Sequence, residues 1–213
     1  MRAGPGGLQE LWTARLTVRD VLLCRDDPRL EVVATSSGRY DARLSVALAG
    51  RLVEFPRAFV SADLAVEGAE VRVVGTHLDS LDPAVALAQA RELVTGPAGR
   101  SGAVVVLGDL NSDPCDEATA AAYRHMLTHG FTDCWPAWSP DQPGFTCGLG
   151  ELLDDETPAG LDRRLDVVLA RSGTEAPIRV TGAWLTGVDM ADRDPATGLW
   201  ASDHAGVVAT LWL

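Results

Sequence analysis

"VVVLGDLNSDP", residues 104–114, is an apolar run that ends in an acid and an amide two residues apart, Asp109 and Asn111, and halts at Pro114. In an extended strand, side chains two apart point to the same face. The stretch therefore reads as a buried strand. Its exit carries a carboxylate able to hold a cation and an amide able to donate a hydrogen bond, on one side. Asp-Leu-Asn before a proline also suits an ordinary turn, so the reading depends on what other segments bring to that strand end.

Working outward, strand-like and helix-like segments alternate. Residues 30–35, the "LSVALAG" run at 44–50, and the pair 57–66 and 70–78 around Glu67-Gly68 read as strands, the last two as a hairpin. "DPAVALAQARELV" predicts a helix with Asp82 as N-cap, Pro83 in the first turn and Gly96 closing it. Residues 116–130, acidic at the start and ending at Gly130, predict a second helix. "RLDVVLAR", "IRVTGAWL" and "GVVATLWL" finish the chain as strands. Hairpins mixed with strand–helix units predict α/β or α+β layers with antiparallel pairing. Residues 136–164 and 187–203 read as irregular. Their acids (Asp154, Asp155, Glu156, Asp189, Asp192 and Asp194) read as solvated surface.

The 213 residues suit one domain, expected over residues 1–213. Hydrophobic residues make up 46% and charged residues 23%, an ordinary globular balance. No apolar run approaches the roughly 20 residues a membrane helix needs. The default expectation is a cytoplasmic protein, secretion being compatible with a leader upstream of Met1. The net charge is −12, and all 18 basic residues are Arg. A chain this acidic lacks a broad electrostatic footprint for nucleic acid, but a small cationic cleft remains compatible with it. The four Cys (24, 115, 134 and 147) contain no CxxC pair, which argues against a zinc cluster.

Five polar groups sit at the ends of apolar segments. They are Glu10 in "LQE", His77 in "GTHLDS", Asp109 with Asn111 in "GDLN", Asp166 in "RRLD", and Asp203-His204 in "SDH". Alone, each has an ordinary explanation as a turn, a cap or a surface group. A carboxylate entering a core needs a partner, and an imidazole that donates to one becomes a better base. His125 and His129, four apart, read as a helix end rather than a metal site. Trp200, just before SDH, reads as a core, lid or pocket residue.

In this order, LQE, THL, GDLN, RLD and SDH resemble the endonuclease/exonuclease/phosphatase superfamily, the deoxyribonuclease I-like fold. "GFTC" at 144–147 and "PRAFVSADL" at 56–64 also resemble runs of that family. The resemblance extends from residue 8 to the C-terminus. It implies a four-layer α/β (α+β) sandwich of two mixed β-sheets packed face to face with helices outside. It implies a metal-dependent phosphoesterase acting on a phosphodiester or phosphomonoester, with nucleic acid or a phospholipid headgroup as candidate substrates. By the same resemblance Glu10 and Asp203 bind Mg²⁺ or Mn²⁺, and Asp109 and Asn111 orient water and phosphate. His204 is the general base, Asp166 orients it, and His77 contacts the phosphate or aids the leaving group. The family's usual first strand, with its Asn, has no counterpart before LQE, so an N-terminally shortened fold is expected. An inactive relative acting as a binding or scaffold domain is the alternative.

Overall fold

The computed structural model describes residues 19–48, 50–174, 176 and 178–212. Glu10, with the rest of LQE, lies outside the described residues.

The central element is a six-stranded mixed sheet. Its strands are β1 (Leu30–Arg39), β4 (Ala58–Val66), β5 (Ala69–His77), β6 (Ala103–Asp109), β7 (Thr132–Asp133) and β8 (Asp166–Arg171), in the order β1-β4-β5-β6-β8-β7. All neighbours are antiparallel except β5 and β6, which α1 (Pro83–Thr95) joins in parallel. A parallel pair needs such a crossover. The helix starts as expected: Asp82 accepts from the Ala84 N–H at 2.8 Å and Pro83 follows it. Two short hairpin strands, β2 (Leu44–Leu48) and β3 (Arg51–Phe55), pair only with each other. The sequence predicts the first of these and not the second.

Period-2 alternation sends the sheet's side chains to two covered faces. Val74, Val104, Val106, Val167 and Leu169 pack under α1 and α2 (Ala121–Thr128), against Leu93, Met126 and Phe131. Val71, Val105 and Ala170 face the other way, onto Val180, Ala209 and Leu211 of a ribbon formed by β9 (Arg179–Thr186) and β10 (Gly206–Trp212). The short helix α3 (Cys134–Trp138) packs against β8 and β9. This is a mixed α/β architecture of the deoxyribonuclease I-like sandwich type. Among the described residues the second sheet consists of two strands, and Trp184 on it is exposed.

Two expectations are adjusted. The second helix begins at Ala121 rather than 116, because side chains hold the preceding residues in turns. Asp113 accepts from the Cys115 N–H, and Asp116 from the Ala118 N–H and the Thr119 hydroxyl. In the segments read as irregular, the acids at 155, 192 and 194 are structural. Asp155 accepts from Gly150, Asp192 from three consecutive backbone N–H groups, and Asp194 from Ala196 and Thr197. All four cysteines are free thiols. No helix among the described residues is long and apolar enough to cross a membrane.

Candidate active site

Strand register assembles the site. His77 is opposite Asp109 across the β5–β6 pair, and Asp109 is opposite Asp166 across β6–β8. Three motif residues from distant parts of the chain thus stand in one row, on the face turned toward the second sheet. Gly108 allows the close approach of β5 and β6. Its φ is +135°, and a Cβ there would run into the Thr76 carbonyl oxygen.

The strand β6 ends at Asp109, so Asn111 is set beside it by a turn and not by the same-face spacing of an extended strand. Asp109 Oδ1 accepts from the Asn111 N–H at 2.7 Å, closing a turn with Asn111 in the left-handed region at φ 47°. The Asn111 amide donates to the Leu78 carbonyl at 3.0 Å. The GDLN stretch is therefore both a strand exit into the site and a local turn.

His204 arrives from the lead-in to β10. Its Nδ1 lies 2.7 Å from Asp166 Oδ2. An ionised carboxylate only accepts, so Nδ1–H is the donor and Nε2 is left as the basic atom. Thr146, in GFTC, fixes both partners. Its buried hydroxyl accepts from the Leu165 and Asp166 N–H groups at 3.1 and 3.0 Å. Its carbonyl accepts from the Ala205 N–H at 2.7 Å.

The two imidazoles are shifted in opposite directions. The Asp166 hydrogen bond raises the His204 pKa above its ordinary value, against the opposing effect of burial. Burial lowers that of His77, outweighing the pull of Asp109, whose Oδ2 is 3.5 Å from Nε2. Burial and the nearby Asp166 charge push the Asp109 carboxyl up.

Asp109, Asp166 and His204 each present a donor atom, and these atoms lie within 4.8 Å of one another. Two carboxylates raising each other's energy form an oxygen-rich set that suits a hard divalent cation. Asp203 is exposed and outside this group. The structure thus brings together Asp109, Asn111, Asp166, His204 and His77, and leaves Asp203 at the margin.

Two further residues, Arg57 and Asp20, act on His77. Arg57 donates to Ser80 at 3.1 Å and acts on His77, lowering its pKa. Half-buried Asp20 also acts on His77, and burial raises its own pKa. Arg57 lies within the "PRAFVSADL" run, at the entry to β4, whose Phe59 pairs with Thr76 beside His77. Asp20 stands in no periodic pattern, and no sequence signal marks it.

The sequence model of the endonuclease/exonuclease/phosphatase family matches residues 7–204. The chain belongs to that family. No curated protein matches it. Among solved structures, a D. rerio TDP2 complexed with single-strand DNA product is similar at 18% identity and TM-score 0.63, over 87% of this chain and 69% of that one. A Bacteroides thetaiotaomicron mannosyl-6-phosphatase is similar at 16% identity and TM-score 0.56, over 87% and 68%. A family protein from Leptotrichia buccalis C-1013-b is similar at 16% identity and TM-score 0.56, over 86% of this chain and 62% of its own. At such identities the likeness shows the fold. The chain spans about two thirds of the length of these family structures, and less than that of the last.

Proposed function

We propose that this chain hydrolyses a phosphate ester by water attack, with His204 as general base and Asp166 holding it. The observation that carries the reading is the 2.7 Å His204–Asp166 contact, set one strand from Asp109. Asp166 fixes the tautomer that leaves Nε2 unprotonated, and stabilises the imidazolium once Nε2 has taken the proton from water. Asp109 and Asn111 orient the water and the phosphate from one strand end, and the turn between them limits their motion. His77, kept neutral by burial, contacts the phosphate or aids the leaving group by donating a hydrogen bond from its ring N–H.

The resemblance gives Glu10 and Asp203 as the residues that would hold Mg²⁺ or Mn²⁺, whereas the donor set assembled among the described residues is Asp109, Asp166 and His204. Held there, a divalent ion would supply charge neutralisation for the phosphate oxygens. Family membership supports the general class, a phosphoric ester hydrolase. Phosphodiesters and phosphomonoesters both remain in scope, since similar structures include a DNA-product complex and a sugar phosphatase.

Hydrolysis of bis(p-nitrophenyl) phosphate with Mg²⁺ or Mn²⁺ tests this. His204→Ala is expected to lower the rate by roughly 10²–10⁴-fold. No hydrolysis by the unaltered chain, or full hydrolysis by His204→Ala, refutes the mechanism.

A further inference from the structure

The segment that carries Thr146 runs between two others at the site. Cys147 pairs antiparallel with His204 on one side and with Arg163 on the other. Residues directly opposite across antiparallel backbone project to one face. His204, Cys147 and Arg163 therefore form a row, with the imidazole at one end and a guanidinium at the other, about 10 Å apart at the backbone.

Side-chain contacts agree with that row. Arg163 Nη2 donates to the Cys147 sulfur at 3.2 Å. Asp109, Asp166 and Asp203 all act on the same thiol, so the sulfur lies within electrostatic reach of the site's carboxylates. Cys147 is 7% exposed and burial pushes its thiol up, so it is an inert spacer rather than a nucleophile. Arg163 is different. Its side chain is 54% exposed, and its Nε donates to exposed Asp162 at a long 3.3 Å. Nη1 makes no hydrogen bond among the described residues.

We propose that Arg163 is a specificity residue that receives a second phosphoryl group of the substrate, next to the one cleaved beside His204. The inference rests on the phosphoesterase reading of the site. Charge supports it: on a chain of net charge −12, with carboxylates crowding the site, a doubly anionic ligand needs a cation at the rim. Arg57 supplies one on the His77 side, and Arg163 supplies one beyond His204. With Cys147 between it and His204 in the row, Arg163 stands beside the scissile position rather than at it.

Calorimetric titration of the full chain in Mg²⁺ tests this, with thymidine 3′,5′-bisphosphate against thymidine 5′-monophosphate. Fructose 1,6-bisphosphate against fructose 6-phosphate forms a second pair, to separate a nucleotide from a sugar source. The bisphosphate of at least one pair is expected to bind roughly five- to tenfold tighter than its monophosphate, the effect of one half-exposed charge-assisted contact. Arg163→Gln is expected to bring that ratio near one without weakening the monophosphate, and Arg163→Lys to keep part of it. A ratio near one for both pairs with Arg163 in place, no binding of either bisphosphate, or equal weakening of both ligands by Arg163→Gln overturns the proposal. All titrations are run with His204→Ala as the common background, so binding is read without turnover. An unaltered chain that hydrolyses nothing therefore refutes the phosphoesterase reading, while the affinity ratio still decides the role of Arg163.

Discussion

Gly108→Ala probes the strand contact on which the site is built. Gly108 has φ +135°, and its Cβ position overlaps the Thr76 carbonyl oxygen. Gly102 is a matched control: its φ is +104°, and nothing lies within 4 Å of its Cβ position. Alanine in such backbone costs about 1–3 kcal/mol, and Gly102→Ala is expected near the low end. At Gly108 the overlap adds to this. It is relieved only by prying β6 from β5 where Thr76 faces Gly108 and His77 faces Asp109. Losing about two ladder hydrogen bonds at ~1 kcal/mol each brings the total to about 4 kcal/mol. For a chain of this size each kcal/mol moves the melting temperature by roughly 2–4 °C, so a fall of about 10 °C is expected, against about 3 °C for Gly102→Ala. Thermal melts followed by circular dichroism measure both. Hydrolysis well below the melt should also fall for Gly108→Ala alone, because the His77–Asp109 register goes with the contact. Equal melting shifts for the two variants, or a wild-type melt for Gly108→Ala, refute the reasoning.

Further outcomes follow from the same contacts. Arg164 and Asp133 form a buried ion pair joined by the Tyr123 hydroxyl, so Arg164→Met strands a buried carboxylate. It should cost about 3–5 kcal/mol in urea unfolding, with partial recovery on adding Asp133→Asn; a loss under about 1 kcal/mol contradicts this. Thr146→Val leaves the Leu165 and Asp166 N–H groups without their acceptor and should cost about 1–3 kcal/mol and most activity, whereas Thr146→Ser keeps both. Asp63 is held below its ordinary pKa chiefly by the Arg72 guanidinium. Its stability contribution is present above the unfolded carboxylate value of about 4 and is lost as pH falls through the folded value. Asp63→Asn should therefore flatten the acid decline of unfolding free energy, and an unchanged slope counts against the pair. His204, raised by Asp166, must be neutral to act, so the rate should climb with pH through a limb lying above its ordinary value. Asp166→Asn should move that limb to lower pH and reduce the plateau; an unmoved limb separates the two residues.

Much of the architecture is legible where local chemistry agrees with tertiary need. The Asp82 cap, Pro83 and the apolar spacing of α1 mark that helix, and the Val-rich run 104–107 marks the buried β6. The hairpin strand β3 escapes sequence reading because Arg51, Val53 and Glu54 pack on no core that would impose a clean alternation. Helix α3 escapes it because "CWPAW" carries a proline and is held by Asp133 and by the Trp135 indole donating to Gln142. At the site, GDLN, RLD and SDH stand out as polar ends of apolar strands. Their meeting has no local derivation, because it depends on the β5–β6–β8 register and on one buried threonine. Arg57 reaches His77 from the 56–64 run, which reads as a strand and not as part of a site, and Asp20 from a segment with no distinguishing pattern.

The two histidines show how distance decides between competing effects. Both are partly buried, and both face a carboxylate, so composition alone gives them the same character. Burial disfavours the imidazolium, and a close carboxylate favours it. At 2.7 Å the Asp166 contact is a full charge-assisted hydrogen bond and outweighs burial at His204. At 3.5 Å the Asp109 contact is beyond good hydrogen-bond range, with Arg57 adding repulsion, and burial wins at His77. One imidazole is therefore readied to accept a proton and keep it beside a carboxylate, and the other to stay neutral. The two rings are thereby given different tasks, proton acceptor at His204 and neutral hydrogen-bond donor at His77. The division comes from less than 1 Å of difference between two strand-end contacts.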